Sequence, residues 1–273
     1  MGDAKERLEE LPENSVDLVM TSPPYFQLKD YGHEDQIGLE ESLEEYLDEL
    51  VSVFSELERV LKSDGVFFLN IDDTYERKNL CMVPERLALK LKEDGWTLRN
   101  KVIWDKKGSM PESVKDRFSH KWEYLFMFTP NRQYSFNLDL VREEYSEATR
   151  KRLSQNNGNP NFNPENDRGH ANGDKNHIDI EDFTNEKGKN PGDVWNLPTA
   201  NFVETHFAVY SEQLCEKPIK AGCPKDGVVL DPFAGAGTTC LVAKKLDRSY
   251  IGIELNPEFA EMAEDRIRNS ETD

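Results

Sequence analysis

The chain of 273 residues predicts an α/β fold, a mainly parallel sheet with helices on both faces. Three observations predict it. Near the carboxyl terminus, the apolar run Val228-Val229-Leu230-Asp231 enters a glycine-rich turn, Pro232-Phe233-Ala234-Gly235-Ala236-Gly237. A helical stretch follows near Thr239 to Leu246, and Ser249-Tyr250-Ile251-Gly252-Ile253-Glu254 is a second strand closed by an acid, which completes a β-α-β unit. Near the amino terminus, the strand-like run Val16-Asp17-Leu18-Val19-Met20 ends in Thr21-Ser22-Pro23-Pro24-Tyr25. Between the two, apolar runs of strand length alternate with helical periodicity.

Gly2-Asp3-Ala4, with Leu8, Leu11 and Pro12 after it, reads as a short helix between two strands, although no strand precedes it. Phe26 to Gly32 is a polar-aromatic loop, either a surface connection or a segment that closes over a site. Leu43, Tyr46, Leu47, Leu50, Val51, Phe54, Leu57 and Leu61 repeat at helical spacing and predict an amphipathic helix from Ser42 to Leu61. Lys62-Ser63-Asp64-Gly65 reads as a stop and turn, and Val66 to Ile71 as a buried parallel strand. Asp72 and Asp73 then lie at the functional edge of the sheet, as helper residues or plain helix caps. Pro84 to Asp94 predicts a helix closed by Gly95. Two strands, Trp96 to Asp105 and Trp122 to Phe128, flank the basic loop Lys106 to His120, predicting a hairpin at one edge of the sheet.

From Asn137 to Asp193 the texture changes to asparagine, glycine, proline and charge, with no core-forming pattern around Asn156-Asn157-Gly158-Asn159-Pro160-Asn161. Order restarts at Gly192-Asp193-Val194-Trp195. Ser211 to Ala221 reads as a helix, and Pro257 to Arg268, capped by Asn256-Pro257, as the last one. The boundaries are therefore 1–136, 137–193 and 194–273.

Pro23 and Pro24 lack N–H groups and fix φ, so the chain stiffens as it leaves the sheet. The carbonyls of Ser22 and Pro23 then point outward as acceptors, beside a hydroxyl and an aromatic face. Such a place suits a flat ring with an amino group: the ring stacks on Tyr25 and its NH2 donates to Ser22 Oγ and a carbonyl. A proline-rich turn is the plain alternative. Gly235 and Gly237 allow a tight turn and close approach of a ligand, and Glu254 is placed to accept from ribose hydroxyls. The Phe-x-Gly-x-Gly pattern lacks the third glycine of a dinucleotide fingerprint, and no lysine follows Gly237 as in a P-loop.

Together these motifs resemble the amino-methyltransferases of DNA over nearly the whole chain, and their order, Pro-Pro-Tyr first and glycines last, is similar to the permuted β group. The resemblance implies a Rossmann-like S-adenosylmethionine-dependent methyltransferase fold. It implies Ser22, Pro23, Pro24 and Tyr25 as catalytic residues, with residues 1–136 as the catalytic part and 194–273 as the cofactor-binding part. For S-adenosylmethionine it implies Asp231, Phe233, Gly235, Gly237, Thr238 and Glu254, with Asp3 near the adenine and Phe207 lining the methionine pocket. A serine before Pro-Pro-Tyr goes with cytosine N4 in that family, and an Asp or Asn with adenine N6. The implied activity is thus N4 methylation of a cytosine flipped out of double-stranded DNA, in a restriction-modification system with a cognate endonuclease, by a monomer or homodimer. The insertion 137–193 is implied to carry target recognition; a flexible loop without base contacts is the alternative.

The net charge of −19 runs against DNA binding, but it is uneven. Residues 1–60 carry 17 acids and 4 bases, whereas residues 61–152 carry 15 acids and 18 bases. The expected phosphate contacts are Lys106, Lys107, Lys115 and Arg117, with Lys101 and Lys121 nearby and Arg150, Lys151 and Arg152 beyond; Arg168 could read guanine. The acid excess also fits a high-salt host, or a protein that does not bind DNA. No apolar run approaches the ~18 residues of a membrane span, no signal peptide opens the chain, and Cys81, Cys215, Cys223 and Cys240 form no C-x-x-C pair. A reduced cytoplasmic protein without structural zinc is expected. Cys223-Pro224 is not the Pro-Cys order of a cytosine-C5 nucleophile. Adenine N6 methylation and a non-catalytic cofactor-binding protein of the same fold remain the alternatives.

Overall fold

The computed structural model describes residues 1–30, 32–33, 35–109, 112–156, 185–200 and 210–270. The chain divides into two compact units, one of Met1–Asn137 with Gly192–Asp273 and one of Leu138–Pro191. The first unit holds α1 (Ala4–Glu9), β1 (Val16–Thr21), α2 (Leu43–Val60), β2 (Leu61–Ile71), β3 (Tyr75–Glu76), β4 (Asn79–Leu80), α3 (Val83–Glu93), β5 (Thr97–Lys107) and β6 (Trp122–Thr129). The second unit contributes α4 (Glu147–Asn156), and an isolated bridge joins its Glu143 and Lys189. The first unit resumes with β7 (Val194–Pro198), α5 (Glu212–Gly222), β8 (Val228–Asp231), α6 (Thr238–Lys245), β9 (Ser249–Gly252) and α7 (Pro257–Asn269).

Among the described residues, seven strands form one sheet in the order β7-β5-β6-β2-β1-β8-β9. Within it, only β6 runs antiparallel to its neighbours. Strand residues alternate between two cores. Val19, Phe67, Phe128 and Leu230 pack with α1, α2 and α3 on one face, whereas Leu18, Phe68, Met127 and Val229 pack with α5 and α6 on the other. Burial on both faces is why these strands read as continuous apolar runs. Ser42 caps α2 through a reciprocal capping box with Glu45, and Asn256 caps α7.

Two expectations need correction, and one hairpin was not read. Lys62 to Gly65 is not a turn: β2 begins at Leu61, opposite Val16, and an irregularity in the pairing absorbs the polar residues. Asp17 explains this, since it holds Lys62 Nζ at 2.7 Å and accepts Val228 N–H at 2.8 Å, tying β1 to both neighbours. The β5–β6 pair is not at the sheet edge, because β7 adds in parallel beyond β5. The hairpin β3–β4 went unread because its turn, Arg77-Lys78, takes positive φ without the Asn-Gly signal of such turns.

Candidate active site

The carboxyl ends of β1, β2, β8 and β9 open on one cavity of about 390 Å³. On the β8–β9 side its wall combines a glycine turn with the side chains of Phe233, Ile253, Leu255 and Phe259. Gly235 has φ +51, and a Cβ there would meet nothing within 4 Å, so the turn leaves room beside it. Glu254 fixes that turn: its carboxylate accepts Gly235 N–H at 2.7 Å and Asn256 N–H at 2.9 Å. Burial raises the Glu254 pKa against the pull of these donors. Phe233, Thr238 and Asp3 also line the cavity. Asp3 Oδ1 accepts Lys5 and Glu6 N–H at the start of α1, and Gly2 N–H donates to the Glu254 carbonyl at 2.9 Å, so the amino terminus is stitched to the acid.

Two residues expected at the ligand stand behind this wall. Asp231 is buried, accepting Thr21 Oγ1–H at 2.6 Å, Phe233 N–H at 3.1 Å and Tyr210 Oη–H at 3.2 Å. It sets the turn from within. Gly237 caps α6 at φ +75, and a Cβ there would stand 2.8 Å from Ala263 Cβ of α7. Its need is packing rather than ligand approach. Phe207 and Arg168 lie outside the described residues, as do Met110, Pro111 and most of the polar stretch.

On the β1–β2–β6 side the wall is made of side chains. Ser22, Pro23, Pro24 and Tyr25 line the cavity, and Tyr46 Oη–H donates to the Pro24 carbonyl at 2.8 Å, fixing the Pro-Pro segment. Ser22 Oγ–H donates to Tyr25 Oη at 3.1 Å, and Tyr25 Oη–H donates to Glu123 Oε2 at 2.9 Å. Asn70 Nδ2–H donates to the same oxygen at 2.9 Å. Glu123 Oε1 is ion-paired with Lys106, whose ammonium also lies 3.1 Å from Asp72 Oδ2; Asp72 Oδ1 is 2.6 Å from His120 Nε2. Burial raises Glu123 despite Lys106, and burial, then Glu123, holds the Tyr25 phenol well above its ordinary range. For Asp72, burial is outweighed by His120 and Lys106 and the pKa falls; His120 rises, chiefly through its bond to Asp72.

Lys106 is therefore not the exposed phosphate contact expected of it. It lines the cavity, with its side chain only 17% exposed, clamped by the buried Glu123 and the half-buried Asp72. Lys107 and Lys115 are exposed, while the Arg117 guanidinium lies 4.2 Å from the Tyr75 ring centroid and pairs with Glu112 at 2.7 Å. Asp72 is part of the site, and Asp73 is the cap, accepting Val83 and Met82 N–H. Glu123 and Asn70 were missed. Their signal was there: each is a lone polar residue within an apolar strand, where burial without a partner is costly.

Residues 16–265 match the model of the N6_N4_Mtase family, described as DNA methylase. The Type II methyltransferase M.Cfr9I of Citrobacter freundii is 36% identical over 99% of this chain and 87% of its own length. The PvuII DNA methyltransferase, titled cytosine-N4-specific, superposes with a TM-score of 0.71 at 21% identity, over all of this chain and 87% of that one. A protein of Thermus thermophilus, solved in complex with S-adenosyl-L-methionine, superposes with a TM-score of 0.63 at 25% identity, over 98% of this chain and 92% of that one. The sheet is that of S-adenosylmethionine-dependent methyltransferases, and the chain belongs to the N6_N4_Mtase family of DNA methylases.

Proposed function

We propose that the protein transfers a methyl group from S-adenosylmethionine to N4 of a cytosine flipped out of double-stranded DNA, as the modification enzyme of a restriction system. The observation that carries this reading is one cavity that joins Ser22 and Tyr25 to the Gly235–Glu254 turn. The residues fit the cofactor. Glu254 has lone pairs left for ribose hydroxyls, Gly235 leaves open space, and Phe233 and Ile253 supply apolar surface for a base. When bound, the cofactor supplies an electrophilic methyl group on a positive sulfur.

The rest is the protein's work. A cytosine amino group is a weak nucleophile because its lone pair delocalises into the ring. Ser22 Oγ, whose proton is directed to Tyr25, keeps its lone pairs for an amino N–H. With the Pro23 carbonyl as a second acceptor, it would turn the nitrogen lone pair toward the methyl group and stabilise charge growing on nitrogen. Serine at position 22, where an acid or amide goes with adenine, and the superposition on a cytosine-N4-specific enzyme favour cytosine. Lys107, Lys115 and Arg117 are proposed as phosphate contacts, with the wholly exposed Phe118 among them, and the unit Leu138–Pro191 as the target-recognition part.

The test is nucleoside mass spectrometry of plasmid DNA incubated with the protein and S-adenosylmethionine, across a range of salt. N4-methylcytosine is expected. N6-methyladenine would move the assignment to the other amino base, and no methylated base at any salt would overturn it.

A further inference from the structure

We propose that Glu123 is the final proton acceptor of the reaction, reached from the target amino nitrogen through the hydroxyls of Ser22 and Tyr25. The inference rests on the reading of this cavity as an amino-methylation site. Amino methylation leaves a surplus proton on nitrogen, and a nitrogen enclosed in the cavity needs a route for it. The hydrogen bonds run in one direction: Ser22 Oγ–H to Tyr25 Oη at 3.1 Å, then Tyr25 Oη–H to Glu123 Oε2 at 2.9 Å. Each hydroxyl can pass on its own proton as it receives another.

The step balances. The nitrogen lone pair forms the N–CH3 bond, and the electron pair of the broken S–CH3 bond stays on sulfur. The amino proton passes to Ser22 Oγ, the serine proton to Tyr25 Oη and the tyrosine proton to Glu123 Oε2. The positive charge brought by the sulfonium is cancelled as the Glu123 carboxylate becomes a neutral acid, and both hydroxyls are restored.

The surroundings of Glu123 suit an acceptor. Lys106 from β5 pairs with its other oxygen, Asn70 from β2 donates to it, and Asp72 beyond β2 shares Lys106 and is itself held by His120. Among the described residues these are the charged and polar groups that face it, with Tyr25 from the segment after β1. Burial raises its pKa above that of an ordinary carboxylate while Lys106 restrains the rise, so it binds a proton more readily than a surface acid and still returns it. A purely structural carboxylate would accept from Tyr25 and Asn70 and pair with Lys106; an amide oxygen keeps the first two contacts, and Asp72 still holds Lys106.

Glu123→Gln separates the two roles, and Tyr25→Phe, which keeps the ring and removes the hydroxyl, is the second variant. Single-turnover methyl transfer to DNA is followed from acid to alkaline pH, so that product release does not mask chemistry. The wild type is expected to lose rate on the acid side as Glu123 protonates. Glu123→Gln is expected to fall on the order of 10²-fold at neutral pH, with that acid limb gone and cofactor affinity unchanged; Tyr25→Phe should behave alike. Independently of turnover, infrared spectroscopy of the wild-type protein should show a protonated carboxyl band that titrates above the ordinary carboxylate range and is missing from Glu123→Gln. Wild-type rate and pH profile in either variant would overturn the relay alone. No methylated base from the wild type would overturn the underlying reading and the relay with it.

Discussion

The two sides of the cavity are built in different ways. Apart from the amino-terminal Gly2 and Asp3, the β8–β9 side comes from one continuous stretch of chain, and its turn is set by backbone groups: Gly235 at positive φ, and the N–H groups of Gly235 and Asn256 held by Glu254. The β1–β2–β6 side draws on Ser22, Tyr25, Asn70, Asp72, Lys106, His120 and Glu123, which meet only because β1, β2, β6 and β5 are consecutive in the sheet. One side is built around a backbone turn, the other is a network of buried and half-buried charge. The first should fail through lost ligand contacts, the second through unpaired groups.

The sharpest way to break that contrast is Lys106→Ala. It leaves the buried Glu123 without its cation and Asp72 with His120 as its remaining counter-ion, and is expected to cost about 3 kcal/mol of stability in denaturant unfolding. A phosphate-contacting lysine would instead leave stability unchanged and lower the salt dependence of DNA binding, which is the expected behaviour of Lys107→Ala and Lys115→Ala, each by a slope of about 1. On the backbone side, Glu254→Ala is expected to weaken S-adenosylmethionine binding roughly 10–100-fold by calorimetry, from lost bonds to a charged acceptor and a turn no longer held. Gly237→Ala should destabilise by more than ~1 kcal/mol in the same unfolding assay, since it forces a Cβ onto Ala263 at positive φ.

The smallest effect sharpens the picture by its sign. His120 is raised and Asp72 lowered by their pairing. The stabilisation is present below the ordinary histidine pKa of about 6.5 and is lost as pH rises through the folded His120 value. It is also lost as pH falls through the folded Asp72 value. His120→Asn should therefore lower the free energy of unfolding most between about pH 4 and 6.5, by less than about 1 kcal/mol, and match wild type at alkaline pH.

The same contrast explains what the sequence disclosed. Strand, glycine turn, helix, strand and acid are contiguous, so Phe233, Gly235 and Glu254 could be placed by reading along the chain. Asp231 and Gly237 sit in the same motif, but their inward-facing roles depend on Thr21, Tyr210 and Ala263, which no local pattern names. Ser22 to Tyr25 announced itself through the prolines. Lys106 was read with its basic neighbours as surface, because charge counts along the chain do not show that its head turns inward to Asp72 and Glu123. β7, which starts 65 residues after β6 ends (194 − 129), adds beyond the β5–β6 pair, so the sheet edge could not be read locally.

The central claim is that the side-chain wall does the chemistry while the backbone wall holds the cofactor. Ser22→Ala tests it most directly, with single-turnover methyl transfer and S-adenosylmethionine affinity measured on the same preparation. The account predicts transfer slowed on the order of 10²-fold with affinity unchanged. Transfer at the wild-type rate, or a loss confined to cofactor affinity, would contradict it.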